Sequence, residues 1–158
     1  MLRPLLLIML AAIAAPAQKY DGPRPPKPDL PYLKHADNLV PTEAVVAKEE
    51  GKGKTTTYVI DGPNSPAVTP LASPIFLLKA EKTITPEDVQ RMELYRLDAK
   101  GGHRTVVPTK QPPIRLEATR LTPDQIWRLE VDESLEPGEY SLTIAEDASN
   151  RAWCFRVR

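Results

Sequence analysis

The closing segment of the chain, Leu135–Arg158, constrains the fold most strongly. Large apolar residues occupy every second position in two runs: Tyr140, Leu142 and Ile144 in the first, and Trp153, Phe155 and Val157 in the second. A period of two is typical of a strand with one face on a core and the other toward solvent. The segment therefore predicts a two-stranded hairpin, with Ser141, Thr143 and Cys154 on the face opposite the core.

Short runs of similar composition precede this hairpin, with turn residues between them. The predicted strands are Leu39–Lys48, Thr55–Ile60, Ile75–Ala80, Met92–Asp98, Arg104–Thr109, Ile114–Thr119 and Trp127–Asp132. The glycine-containing turns Gly51–Lys54 and Lys100–His103 predict hairpins. Ile75–Ala80 is the most apolar of the runs and predicts a central strand.

Two Thr-Pro sequences predict single turns of helix at corners of the fold. In Thr85–Asp88 and Thr122–Gln125 a threonine can cap the helix, proline takes the first position and acids follow. Together the elements predict an all-β fold of about eight strands, either a β-sandwich or a small barrel. We take the antiparallel sandwich as the prediction.

The N-terminus carries the pattern of a secretory signal peptide over residues 1–17. Arg3 is followed by an apolar run, Leu5–Ala15, and small residues precede a predicted cleavage before Gln18. The apolar run is shorter than the roughly 20 residues that span a bilayer. We expect a periplasmic or extracellular protein without membrane insertion after cleavage; an uncleaved N-terminal anchor is the alternative.

Prolines cluster in two segments. Residues 18–34 predict an extended, semi-rigid and solvated arm ahead of a domain over residues 35–158. Asp61–Pro74 predicts a long loop. Because long irregular segments tend to carry contacts, the arm and this loop are the expected working surfaces. A tail without a specific role is the alternative for the arm.

The charge pattern argues against a nucleic-acid partner. The 158 residues include 21 basic and 21 acidic side chains, spread along the whole length. Binding to a phosphate backbone needs a clustered positive surface. We expect a protein or polymer of the cell envelope as partner.

Cys154 is the only cysteine, so no disulfide can form within the chain. Its position predicts a thiol that points away from the main core. An edge position, cover by the N-terminal arm of residues 18–34 or a disulfide to another molecule would each accommodate it. We favour a covered, inert thiol, because free cysteine behaves as a small hydrophobe.

The sequence identifies no catalytic, cofactor-binding or metal-binding residue. His35 and His103 are the only histidines, and neither has further ligands at a recognisable spacing. The nearby acids Asp132, Glu133, Glu136 and Glu139 match no calcium loop, and we interpret them as a solvated turn. No serine lies in a nucleophile motif.

The Leu135–Tyr140 sequence LEPGEY, followed by Leu142 and Ile144, resembles the L-x-P-G-x-Y-x-L element of bacterial immunoglobulin-like and transthyretin-like sandwich domains. The wider arrangement is similar to uncharacterised secreted bacterial proteins. The resemblance implies an immunoglobulin-like sandwich in which Pro-Gly turns the chain into a late strand and Tyr140 packs inward. It implies no activity and no functional residues.

We therefore expect a non-catalytic, exported module for binding, assembly or structure in the cell envelope. An enzyme, or an accessory subunit of one, acting on envelope polymers through the acids of Asp132–Glu139 is the alternative. A subunit that donates residues 18–31 as a strand to a neighbour is a third possibility.

Overall fold

A computed structural model describes residues 19–121 and 124–158, and this part of the chain forms an all-β sandwich, as predicted. It contains thirteen short strands: β1 Tyr32–His35, β2 Asn38–Pro41, β3 Glu43–Val46, β4 Lys48–Glu50, β5 Thr57–Asp61, β6 Val68–Thr69, β7 Ile75–Lys79, β8 Met92–Lys100, β9 His103–Val106, β10 Leu116–Leu121, β11 Ile126–Val131, β12 Gly138–Ile144 and β13 Arg151–Val157. The count exceeds the predicted eight because breaks at Thr42 and Ala47 divide the predicted strand Leu39–Lys48 into three, and because β1 and β6 lie outside the predicted strands.

One short helix, α1 Pro86–Gln90, lies where the first Thr-Pro signal predicts it. Thr85 accepts from the backbone N–H of Asp88, and the Asp88 carboxylate accepts from the backbone N–H of Thr85. The predicted signal peptide, and Thr122-Pro123 of the second helix signal, lie outside the described residues. No helix in residues 19–121 and 124–158 is long and apolar enough to cross a membrane.

The first sheet has five strands in the order β10-β11-β7-β1-β2, all antiparallel. The apolar run Ile75–Lys79 forms its middle strand, as its composition predicts. Phe76, Leu77 and Leu78 are fully buried there, which explains why no polar alternation interrupts this run.

The second sheet nearly closes into a barrel. Its strands run β3-β13-β12-β8-β9-β5-β4, and β6 adds a short parallel pairing to β13. Only Ala47 separates β3 from β4. This bent segment therefore pairs with β13 on one side of Ala47 and with β5 on the other, so that one stretch of chain joins both edges of the sheet.

Closure gives β8, β12 and β13 two buried faces. One face meets the first sheet in the main core, where Tyr140, Leu142, Trp153 and Phe155 lie. The other face lines the interior of the barrel-like sheet, a second core that includes Cys154. The prediction that the closing hairpin turns its second face to solvent is therefore wrong, because β3, β4, β5 and β9 wrap around that face.

Part of the segment expected to be a solvated arm is packed on the domain. The first strand begins at Tyr32, three residues before the predicted boundary, and Pro25 and Pro31 are buried. Asp29 accepts hydrogen bonds from the backbone N–H groups of residues 81–84. The proline content sets an extended backbone, and Asp29 then fixes that backbone to the loop after β7.

The proline-rich loop Asp61–Pro74 is also tied to the sheet. The Arg156 N–H donates to the Ala67 carbonyl and the Arg158 N–H to that of Thr69. The Ser65 hydroxyl donates to the Cys154 carbonyl at 3.1 Å. This loop therefore covers the part of β13 that β3 leaves unpaired, and is in the first place a structural element.

We predict that Asp29→Asn lowers the free energy of unfolding by about 1–3 kcal/mol at pH 7, because an amide nitrogen cannot accept the backbone N–H groups that the carboxylate binds. Burial alone would raise the pKa of Asp29, but hydrogen bonds from Glu81, Thr83, Lys82 and Ile84 outweigh it and hold the pKa below its ordinary value. A depressed carboxylate pKa stabilises the fold above the unfolded-state value. The difference between variant and parent therefore shrinks as the pH falls through the folded-state pKa.

Urea unfolding of both proteins across this pH range measures the effect. Asp21→Asn is the matched control, because Asp21 is an exposed acid in the same segment. An equal loss in both variants, or a loss from Asp29→Asn that does not change with pH, would contradict the docking of this segment through Asp29.

Candidate binding site at the open end of the barrel

A buried ion pair closes one end of the barrel interior. Arg104 on β9 is fully buried, and its two terminal nitrogens donate to the Glu43 carboxylate on β3 at 2.6 and 3.0 Å. The same guanidinium donates to the carbonyls of Gly62 and Asp61 at 3.0 and 2.8 Å. Burial opposes the charge of Arg104, but these partners satisfy its fork of donors.

Glu139 adds a second buried acid at this end. Its carboxylate accepts from the Ser65 N–H at 3.0 Å and lies 4.0 Å from Arg104 and 3.6 Å from Arg156. Burial raises the pKa of Glu139 above its ordinary value, although Ser65 and both arginines act in the opposite direction. Glu139 is 4 % exposed and also lines a surface groove with Arg96 and Arg156. Because protein groups already engage its carboxylate, we interpret this end as a structural cluster.

The opposite end of the interior opens as a cavity of about 400 Å³. Residues from five strands and from the segments next to them line it: Ala47, Tyr58, Ile60, Glu93, Tyr95, Val106, Pro108, Ser141, Thr143, Ile144, Ala145, Glu146, Asp147, Asn150, Arg151 and Ala152. Strand periodicity places these side chains, since inward positions on β8 and β12 are Glu93, Tyr95, Ser141 and Thr143. The floor and walls are mainly apolar, whereas the rim carries charge.

Ser141 provides a polar group inside this apolar surface. The residue is 1 % exposed, and its hydroxyl oxygen has no hydrogen-bond partner within residues 19–121 and 124–158. Its neighbours in register are Cys154 and Tyr95, which lie on either side of it across the sheet. A buried hydroxyl without a partner costs free energy, so this group is suited to a polar atom of a bound molecule.

Two tyrosine–glutamate pairs shape the mouth. The Tyr95 hydroxyl donates to Glu93 at 2.8 Å, and burial together with this carboxylate raises the pKa of Tyr95. Burial and the neighbouring Glu49 likewise raise the pKa of Tyr58. Both phenols therefore stay protonated at neutral pH, and each lies next to a carboxylate.

Arg151 is the one cationic side chain among the lining residues, and its charge is already paired. Its Nε donates to Asp147 at 2.9 Å and its Nη1 to the Thr83 carbonyl at 3.1 Å. The guanidinium also lies 5.7 Å from the centre of the Trp153 ring. These contacts fix Arg151 along the rim as a structural group.

The histidines weighed in the sequence lie apart from the cavity. His35 Nε2 lies 2.9 Å from the Thr69 hydroxyl, and His103 Nδ1 lies 3.4 Å from Asp61 at an exposed turn. Within the described ranges, no group of three or more histidine, cysteine, aspartate and glutamate side chains has the arrangement of a metal site.

The acids of the Asp132–Glu139 region are not brought together. Asp132, Glu133 and Glu136 are exposed, and Asp132 lies 3.7 Å from Arg115. Glu139 is instead buried next to Ser65 and Arg104 at the ion-pair end of the barrel interior. Because Glu139 is one strand position away from Tyr140, it necessarily faces away from the main core.

Cys154 is buried with 0 % exposure in the second core. Burial raises the pKa of its thiol to about 12, with Arg104 acting in the opposite direction. The expected covered thiol is therefore confirmed, and the interior of the barrel-like sheet covers it, not the N-terminal arm of residues 18–34.

Six residues that define the two ends of this interior are not predicted as functional from the sequence: Glu43, Arg104, Ser141, Tyr58, Glu93 and Tyr95. One signal was present. Arg104 is in phase with Val106, and Glu93 is in phase with Tyr95 and Leu97, so charged groups share a strand face with apolar ones. A single strand cannot show that this face is also buried.

We predict that Glu43→Ala lowers the free energy of unfolding by about 3–5 kcal/mol, because it leaves the Arg104 guanidinium buried without its carboxylate. Equilibrium denaturation measures the loss. Lys48→Ala is the control, because Lys48 forms an ion pair with Asp61 in which both side chains are largely exposed, and exposed pairs contribute little. Equal effects of the two substitutions would show that Arg104 is not sealed in the interior.

Comparison of the chain with protein-family models, with curated protein sequences and with solved structures gives no match. The function proposed below therefore rests on the geometry of the barrel-like sheet and on the sequence.

Proposed function

We propose that this chain is a non-catalytic, exported binding module of the cell envelope that holds a small ligand in the open end of its barrel-like sheet. The cavity favours binding over the assembly and purely structural roles that the sequence also allows. The observation that carries the proposal is the mainly apolar cavity itself, whose lining includes Ser141, a buried residue with a hydroxyl that has no partner in the described residues.

The form of the cavity supports this role. Ligand sites are commonly concave, mostly apolar and between about 300 and 1,000 Å³, with a few polar groups that orient the ligand. The cavity of about 400 Å³ is within that range. Mouths of barrels are a recurrent place for such sites, because inward-facing side chains converge there from many strands.

The chemistry of the lining supports a role without catalysis. Activation of a serine needs a base within hydrogen-bond reach, and the Ser141 oxygen has no such contact in residues 19–121 and 124–158. The described lining contains neither histidine nor cysteine. The Glu93 carboxylate, which also lines the cavity, is instead engaged by Tyr95.

The signal-peptide pattern of residues 1–17 supports export, and the lack of any possible disulfide is compatible with it, since two packed cores supply the stability. A cell-envelope location would give the cavity access to small molecules outside the cytoplasm.

Binding of N-phenyl-1-naphthylamine tests the proposal, because this neutral probe becomes fluorescent in apolar surroundings. We predict saturable binding with one site per chain, and at least a tenfold loss of affinity in Ser141→Leu, whose larger side chain fills the base of the cavity.

Ser134→Leu is the matched control, because Ser134 is exposed and does not line the cavity. Circular dichroism and the denaturation midpoint establish that each variant is folded. If the parent does not bind the probe, or if Ser134→Leu weakens binding as much as Ser141→Leu, the cavity is not the binding site.

A further inference from the structure

The charged residues at the rim suggest which ligands this site selects. Four charged side chains line the cavity, and three of them are acidic: Glu93, Glu146 and Asp147, against Arg151. Because Asp147 and Arg151 neutralise each other at 2.9 Å, Glu93 and Glu146 determine the charge of the opening. Neither of these two acids forms an ion pair with another described residue.

The carboxylate of Glu93 retains capacity for another donor. It accepts one hydrogen bond, from the Tyr95 hydroxyl at 2.8 Å, whereas an ionised carboxylate can accept about four. The hydroxyl contact also fixes the carboxylate at the mouth. A ligand group that donates hydrogen bonds and carries positive charge matches these free positions.

The aromatic rings favour the same kind of group. Tyr58 and Tyr95 both line the cavity, and the face of an aromatic ring attracts a cation within about 6 Å of its centre. Their hydroxyls lie beside the carboxylates of Glu49 and Glu93. The negative rim and the aromatic walls therefore act together on a cationic group.

Below the rim the site requires an apolar body that carries a polar atom. Ile60, Val106 and Ala152 line the interior, while Ser141 presents its unpartnered hydroxyl from a position that is 1 % exposed. We propose that the ligand is a small amphipathic amine, with its ammonium group at Glu93 and its apolar body in the cavity. This inference rests on the proposed binding function.

Three small phenols of similar shape and different charge test this inference. They are tyramine, which is cationic at pH 7, 4-ethylphenol, which is neutral, and 3-(4-hydroxyphenyl)propionate, which is anionic. Competition with N-phenyl-1-naphthylamine gives their relative dissociation constants. We predict that tyramine binds about tenfold more tightly than 4-ethylphenol, because its ammonium group is attracted to the partly exposed Glu93 carboxylate. The anion should bind most weakly, because the same carboxylate repels it.

Two substitutions test separately how the rim and the interior of the cavity contribute to ligand affinity. Glu93→Gln keeps the acceptor for Tyr95 but removes the charge, so it should abolish most of the preference for tyramine and leave 4-ethylphenol unchanged. Ser141→Ala should weaken all three phenols by a similar factor. Glu117→Gln is the charge-matched control, because Glu117 is an exposed acid on the other sheet.

The outcomes distinguish this inference from the proposed function. If the three phenols compete equally, or if Glu117→Gln reduces the preference as much as Glu93→Gln, the cavity binds ligands but does not select amines. If the anion binds most tightly, the inferred polarity of the rim is wrong. If none of the phenols nor the naphthylamine binds, both the amine inference and the binding function are overturned.

Discussion

The pairing of Arg104 with Glu43 is the interaction on which the rest of the structure depends. The two residues lie on β9 and β3, which are not neighbours in the sheet, so the ion pair crosses the barrel interior. The same guanidinium holds the carbonyls at the end of β5. A buried charge is tolerated only when it is paired and its donors are satisfied. These contacts therefore make closure of the sheet a condition for burying Arg104 at all.

Closure explains why the closing hairpin is buried on both faces. A flat sheet packed on a second sheet would expose Ser141, Cys154 and their neighbours to water. The bend at Ala47 brings β3 and β4 to opposite edges, and the sheet curls around these small side chains. The two ends of the resulting interior differ in how their buried polar groups are hydrogen-bonded. At the Arg104 end the charged groups have partners, whereas at the other end the Ser141 hydroxyl has none in the described residues. A buried polar group without a partner requires an explanation, and ligand binding supplies one.

The sequence is sufficient to predict the all-β class, the hairpin turns, the central strand β7, the capped helix α1 and the burial of Tyr140 and Trp153. These features depend on local chemistry, because apolar alternation, glycine turns and a capping box act within about ten residues. The second core depends on contacts between distant segments. Its apolar residues, such as Ile60, Tyr95 and Val106, share strand faces with charged or polar residues, so apolar periodicity in a single strand does not show that this face is buried. For the same reason Asp29 gives no signal of docking, since its partners at residues 81–84 lie far along the chain.

The most direct test of the two-core architecture is the rate at which Cys154 reacts with 5,5′-dithiobis(2-nitrobenzoate) in the native protein. Simple alternation would turn this thiol to solvent, whereas closure of the sheet buries it completely. The structure predicts that the native protein reacts no faster than it unfolds, while the same protein in guanidinium chloride reacts at once with one thiol per chain. Rapid stoichiometric reaction under native conditions would show that the interior is open at Cys154 and that the sheet does not close.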